Sequence, residues 1–254
     1  MYSSFHTHRN QQNPSTRDHY LLDMKQGDVN GDGIPDLVYL FGHKPDGPSG
    51  IFADQIMLVI QDGYSQQHKV VPLRDNAGYN AGLFLGDFDQ NKIADILVSI
   101  DSGGSGGYGT FYIYSYADHV LRKIFDYENY NQTYSFRVQY EDMYKVAVSS
   151  AQLDVLFTID ISNKSYSYLS AFYNEDGKLK QPTQGEVLAL AAVNPIVTNE
   201  NRTSFDLLAL QRIIGSTNAD TLGYVENLLT WDGSKFISSR LSVAIPGTKL
   251  ISHF

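Results

Sequence analysis

The chain writes the same acid-rich loop twice, each time directly before a run of β-forming residues. Residues 27–40 read GDVNGDGIPDLVYL and residues 86–100 read GDFDQNKIADILVSI, a displacement of 59 positions. Asp28, Asn30, Asp32 and Asp36 stand at loop positions 1, 3, 5 and 9 of the first copy. Asp87, Asp89, Asn91 and Asp95 stand at the same positions of the second. Carboxylates crowded this closely repel one another unless a cation neutralises them. Hard oxygen donors on a flexible loop suit Ca²⁺ better than Mg²⁺, which demands near-octahedral geometry and keeps its waters. Gly31 and Gly33 permit the tight turn, because glycine tolerates positive φ. An EF-hand is excluded: its position 12 requires a bidentate Glu between helices, and here that position is Tyr39, inside the β-type run LVYL. The competing reading is a pair of Asx-turns, in which Asp and Asn bond their own backbone.

A second marker divides the rest of the chain. Turn acids recur at Asp62, Asp118, Asp176 and Asp232, spaced by 56, 58 and 56 residues, three of them followed by glycine. Asp-Gly between apolar runs is a strong hairpin signal. The near-constant period predicts four units of four-stranded antiparallel meander, at about 20–75, 79–130, 134–181 and 185–246. Residues 1–19 are polar and aperiodic and read as a tail, leaving 20–254 as a single domain. The third unit draws its strands from YSFRVQY or YKVAVSS, DVLFTI, YSYLSAFY and a weak KLKQ, and has lost the loop. In the fourth, Asp206 answers Asp36, and the preceding ligand positions become Thr198, Glu200 and Arg202. An arginine there opposes a cation, so no metal is expected. The segment ADHVLRKIFDYENY has helical spacing, but the alignment of units makes it a turn and a strand.

These two acidic stretches resemble the FG-GAP or VCBS-type repeat of integrin α-subunit propellers and many bacterial proteins. The resemblance implies an all-β chain, a β-propeller of about four blades, or five if the two ends together build one more. It implies Ca²⁺ at two sites, each held by the four loop side chains and by the carbonyl at position 7, that of Ile34 or Ile93. The second stretch departs from the pattern, with Asn91 for an acid, Lys92 inside the loop and no glycine beside them, so its site is expected to be the weaker. Calcium use and the resemblance together favour an extracellular or cell-surface setting.

Composition narrows the function classes. The 254 residues carry a formal net charge of −9, which argues against nucleic acid, since phosphate binding needs a basic surface. Hydrophobic residues make up 42%, and 18 Tyr with 13 Phe favour half-buried pleated surfaces. The absence of cysteine excludes thiolate metal sites. No apolar run reaches membrane-span length, and the N-terminus shows no apolar signal segment. Ser105 in GGSGG matches the G-x-S-x-G pattern, but it lies between two β-runs where a nucleophile elbow needs a strand and then a helix. His6 and His8 lack a third ligand nearby. The expectation is therefore a non-enzymatic, calcium-stabilised binding or structural module for a protein or polysaccharide surface. The alternative is a propeller enzyme that processes carbohydrates or phosphate esters.

Overall fold

The structure, a computed structural model, describes residues 19–200 and 203–247. Residues 1–18, with His6 and His8, and Arg202 lie outside the described residues, and the last residue read as tail, His19, opens the first strand. Eight strands form a first antiparallel sheet: β1 (His19–Gly27), β2 (Asp36–His43), β3 (Phe52–Gln61), β4 (His68–Pro72), β5 (Gly78–Gly86), β6 (Asp95–Asp101), β7 (Gly109–Ser115) and β8 (Arg122–Asp126). Helix α1 (Tyr127–Thr133) follows, started by the Asp126 carboxylate accepting from the N–H of Glu128. A second sheet of seven strands holds β9 (Arg137–Glu141), β10 (Lys145–Ser150), β11 (Val155–Asp160), β12 (Gln184–Ile196), β13 (Asp206–Ile214), β14 (Thr221–Trp231) and β15 (Phe236–Ala244), with helix α2 (Tyr166–Phe172) between β11 and β12.

The period-2 burial expected of a half-covered strand is clearest in β2, where Asp36, Val38 and Leu40 are buried and their neighbours partly exposed. By contrast β6 and β7 are buried on both faces, because each side meets a different core. Ile96, Val98, Ile100 and Tyr112 turn toward Val38, Leu40, Ile56 and Leu58, so the first sheet folds over on itself. On the opposite face, Leu97, Phe111 and Ile113 pack against Leu190, Leu207, Ala209 and Leu229, which joins the two sheets. The second sheet also curls: Val138, Tyr140, Val146 and Val148 cover Ile213, Leu222 and Val225.

The sequence units map unequally onto this architecture. β1–β4, β5–β8 and β12–β15 are each four-stranded meanders. The ladders do not, however, separate into independent blades. Phe52 with Tyr79 and Ala53 with Gly78 link β3 to β5, and Gln184–Glu186 pair with Arg137–Gln139 to link β12 to β9. In the third unit, YSYLSAFY forms helix α2 instead of a strand. The Ser165 hydroxyl caps it by accepting from the Tyr168 N–H, and the Tyr168 hydroxyl donates to Asp220 Oδ2 at 2.6 Å, which pins the helix to the sheet. The ambiguous 117–130 segment resolves as a short 3₁₀ turn, strand β8 and then helix α1. Among the described residues, no apolar cluster contains both β1–β4 and β9–β15. The contacts thus establish an all-β architecture of two sheets; a closed ring of blades goes beyond them.

Candidate metal centre

Three hairpin loops lie side by side at one end of the molecule. The first closes with Gly27 opposite Asp36, the second with Gly86 opposite Asp95, and the third with Ile196 opposite Asp206. Backbone bonds tie them in series: the Ala94 N–H donates to the Asp28 carbonyl at 3.2 Å, and the Phe205 N–H donates to the Asp87 carbonyl at 2.8 Å. In the third loop the Thr198 hydroxyl hydrogen-bonds the Asp206 carboxylate.

The first two loops share an inner wiring. Asp28 accepts from the N–H groups of Gly31 and Gly33, as Asp87 does from those of Asn91 and Lys92. Asn30 Oδ1 accepts from the Asp32 N–H, and Asp89 Oδ1 from that of Asn91. Asp32 and Asn91 each accept from the N–H of the isoleucine two residues on, Ile34 and Ile93. The Asx-turns read as an alternative to metal are therefore present in both loops. Both also bend through left-handed backbone at loop positions 4 and 6. The first loop places Gly31 and Gly33 there; the second places Gln90 at φ 64° and Lys92 at φ 70°. Non-glycine residues in that region cost on the order of 1 kcal/mol each, so the second loop holds strain that the first avoids.

The loops diverge at their buried ends. Asp36 is fully partnered: Oδ2 accepts from the Val29 N–H at 2.9 Å, and Oδ1 from the Gly63 N–H at 2.8 Å and the Asn30 amide at 3.3 Å. The same Asn30 amide donates to Asp62 Oδ2 at 2.9 Å. Asp95 is also buried, and its Oδ2 accepts from the N–H groups of Phe88 and Asp89. Its Oδ1, however, has no hydrogen-bond partner, and the buried Ser115 hydroxyl lies near Asp89 and Asp95 without an aligned hydrogen bond to either. Asp87, Asp89 and Asp95 bring carboxylate oxygens within 4.8 Å of one another, the one such group among the described residues. Burial pushes the Asp95 carboxyl up to about 7, and the charge of Asp89 adds to the shift, while the Phe88 N–H and the Ser115 hydroxyl act the other way. Asp89 is raised too, first by burial and then by Asp87. Arg122 Nη2 forms a long ion pair with Asp89 Oδ2 at 3.9 Å, which offsets part of the shift. A buried carboxylate with an orphaned oxygen, beside two part-buried carboxylates, is the setting a hard cation relieves. Asp87, Asp89 and Asp95 fit that role, with the side chain of Asn91 and the carbonyl of Ile93 on the same loop.

Sequence reasoning had no signal for Ser115 and misplaced Asp62 as only a turn marker. Strand register shows what each does. Leu37 pairs with Gln61 and Ile96 with Tyr114, so Asp62 and Ser115 are the next residues in equivalent positions, each facing its loop. The period of turn acids had instead aligned Asp62 with Asp118, which lies in the 3₁₀ turn. Ser105 sits in the β6–β7 hairpin, its carbonyl accepting from Arg212 Nη2 at 2.8 Å and its hydroxyl bonded to the Asn218 amide at 3.2 Å. The tyrosines at 112, 114, 116, 130, 134 and 140 are buried packing residues.

Fold and loops together define an all-β protein of two curled antiparallel sheets with an acidic hairpin centre at one end. The family model of the YybI C-terminal domain matches residues 134–244, from just after α1 to the end of β15. The uncharacterized protein YybI of Bacillus subtilis (strain 168) is 40% identical over 225 residues, covering 89% of this chain and 85% of that protein. The chain belongs to the YybI family. No solved structure gives a significant match. These findings correct the resemblance to FG-GAP and VCBS-type repeats, since neither points to that family. The physical reason is that alternating Asp and Asn before a strand satisfies the needs of any tight, self-bonded β-hairpin loop, so the spacing does not belong to one lineage. Nor does either comparison indicate an enzyme family.

Proposed function

We propose that this chain is a calcium-stabilised, non-catalytic binding module, with the cation held at the second hairpin loop by Asp87, Asp89 and Asp95. The observation that carries this reading is the buried, unpartnered Asp95 Oδ1, in a residue whose carboxylate lies within 4.8 Å of those of Asp87 and Asp89. On this reading the meanders act as propeller-like blades, about four counting β9–β11 with α2, and the adjoining loops at one end are the surface presented to a partner. A protein or polysaccharide surface suits a net charge of −9 better than nucleic acid does. The three carboxylates converge on one point; a glycosidase pair must stand about 5–10 Å apart across a substrate. Calorimetric titration of the chelator-stripped chain with Ca²⁺ tests the site: saturable binding that Asp95→Asn abolishes supports it, and no binding refutes it. Electrophoresis through soluble polysaccharides, with and without Ca²⁺, tests the module. Turnover of an ester, phosphate ester or glycoside would replace it with the enzymatic alternative.

A further inference from the structure

The two acidic loops have the same backbone wiring, yet only one gathers its carboxylates. The difference lies in a pair of residues facing each other across the loop and the strand end. In the first loop this pair is Asn30 with Asp62, in the second Asp89 with Ser115. Each pair carries one carboxylate, but on opposite sides. Asn30 Oδ1 is taken by the Asp32 N–H at 2.9 Å, which turns its amide nitrogen inward. That nitrogen then donates to Asp62 Oδ2 at 2.9 Å and to Asp36 Oδ1 at 3.3 Å. An N–H donor thus stands between two buried acids, and Asp36 and Asp62 are 0% and 6% exposed. In the second loop the Ser115 hydroxyl takes that place, close enough to Asp89 and Asp95 to lower both, but it makes no aligned hydrogen bond to either and leaves Asp95 Oδ1 open. Asp95 Oδ1 is buried and without a partner, Ser115 Oγ is buried without an aligned hydrogen bond, and the residues are 0% and 1% exposed. A buried acceptor without a donor is costly, and a cation meets the need of every oxygen there at once.

We propose that this pair decides which loop takes a cation: Asp89 with Ser115 keeps the second loop open for one Ca²⁺, whereas Asn30 with Asp62 closes the first through the Asn30 amide. The inference rests on the calcium reading of the second loop. It makes Ser115, on a strand outside the loop, a residue that sets the specificity of the site. It also turns the expected two sites into one site and one self-satisfied loop.

Exchanging the pairs tests this by calorimetric Ca²⁺ titration of the full chain. The unaltered protein binds one equivalent. Asp89→Asn with Ser115→Asp gives the second loop the amide closure of the first, and affinity falls by about 100-fold or more. Asn30→Asp with Asp62→Ser opens the first loop, and a second equivalent appears. Circular dichroism reports whether each variant folds; should the second pair not fold, the stoichiometry of the unaltered chain and the first pair decide. Two equivalents in the unaltered chain, one of them lost in Asp32→Asn, overturn this inference and leave the calcium reading intact. Unchanged affinity in the first exchange, or a single equivalent in a folded second exchange, overturns it as well. No binding by the unaltered chain overturns both.

Discussion

Asp95 holds a carboxylate where water does not reach, one oxygen bound by two backbone N–H groups and the other by nothing. Without a cation, burial and the neighbouring Asp89 resist its ionisation. Asparagine at this position keeps an oxygen for the N–H groups of Phe88 and Asp89 and removes the buried charge. Asp95→Asn is therefore expected to leave the chelated protein as stable as before or more stable by about 1–3 kcal/mol, while abolishing any rise in melting temperature with Ca²⁺. Chemical denaturation in chelator, followed by thermal unfolding with and without Ca²⁺, measures both. A large loss of stability in chelator would mean that the carboxylate serves the fold and not a cation. Ser115 shows the same logic with a neutral group: its hydroxyl is buried beside Asp89 and Asp95, near enough to lower both, yet aligned on neither.

The hairpins position these residues by register. Phe205, in the third loop, donates its N–H to the Asp87 carbonyl and packs its ring against Phe84 and Phe88, 5.2 and 6.0 Å away between centroids. It fits because Gly86 has no side chain; a Cβ there would come within 2.7 Å of the Phe205 ring. Phe205→Ala is expected to cost about 2–4 kcal/mol and to weaken Ca²⁺ binding, because the loop that holds Asp87 loses its neighbour. Equilibrium unfolding and calcium titration check the two effects, and an unchanged affinity would separate the third loop from the centre. At this scale much was legible in the sequence. The loops at 28–36 and 87–95 stand out by residue type and spacing, and the strands after them by their β-type apolar runs. The helix at Tyr166–Phe172 was not legible, because a short run of tyrosine, leucine and phenylalanine has no period that separates helix from strand. Its capping serine, Ser165, was the one local clue. Ser115 was hidden because its role depends on cross-strand register, which the spacing of turn acids does not report.

Across the whole molecule the two sheets share one apolar cluster, and this sets what can fold alone. The YybI C-terminal domain match covers 134–244, yet Leu190, Leu207, Ala209 and Leu229 in that span pack against Phe88, Leu97, Phe111 and Ile113 of the first sheet. A fragment of residues 134–247 would expose that face. It is expected to bind a hydrophobic dye and to melt below the full chain; a fragment that equals the full chain in melting temperature and binds no dye would make the shared cluster dispensable. The loop centre sits at the joint of this assembly, since Phe88, next to Asp87 and Asp89, belongs to the same cluster. A cation bound there stabilises both sheets together. At a hundredfold excess over its Kd, a ligand specific to the folded state adds about 2.7 kcal/mol. For a chain of this size that corresponds to a rise of about 5–10 °C. The most direct measurement is thermal unfolding of the full chain in Ca²⁺ and in chelator, with Asp95→Asn alongside. A rise of that size is expected in the unaltered protein and none in the variant; identical melting temperatures for the unaltered protein in both conditions would overturn the calcium reading.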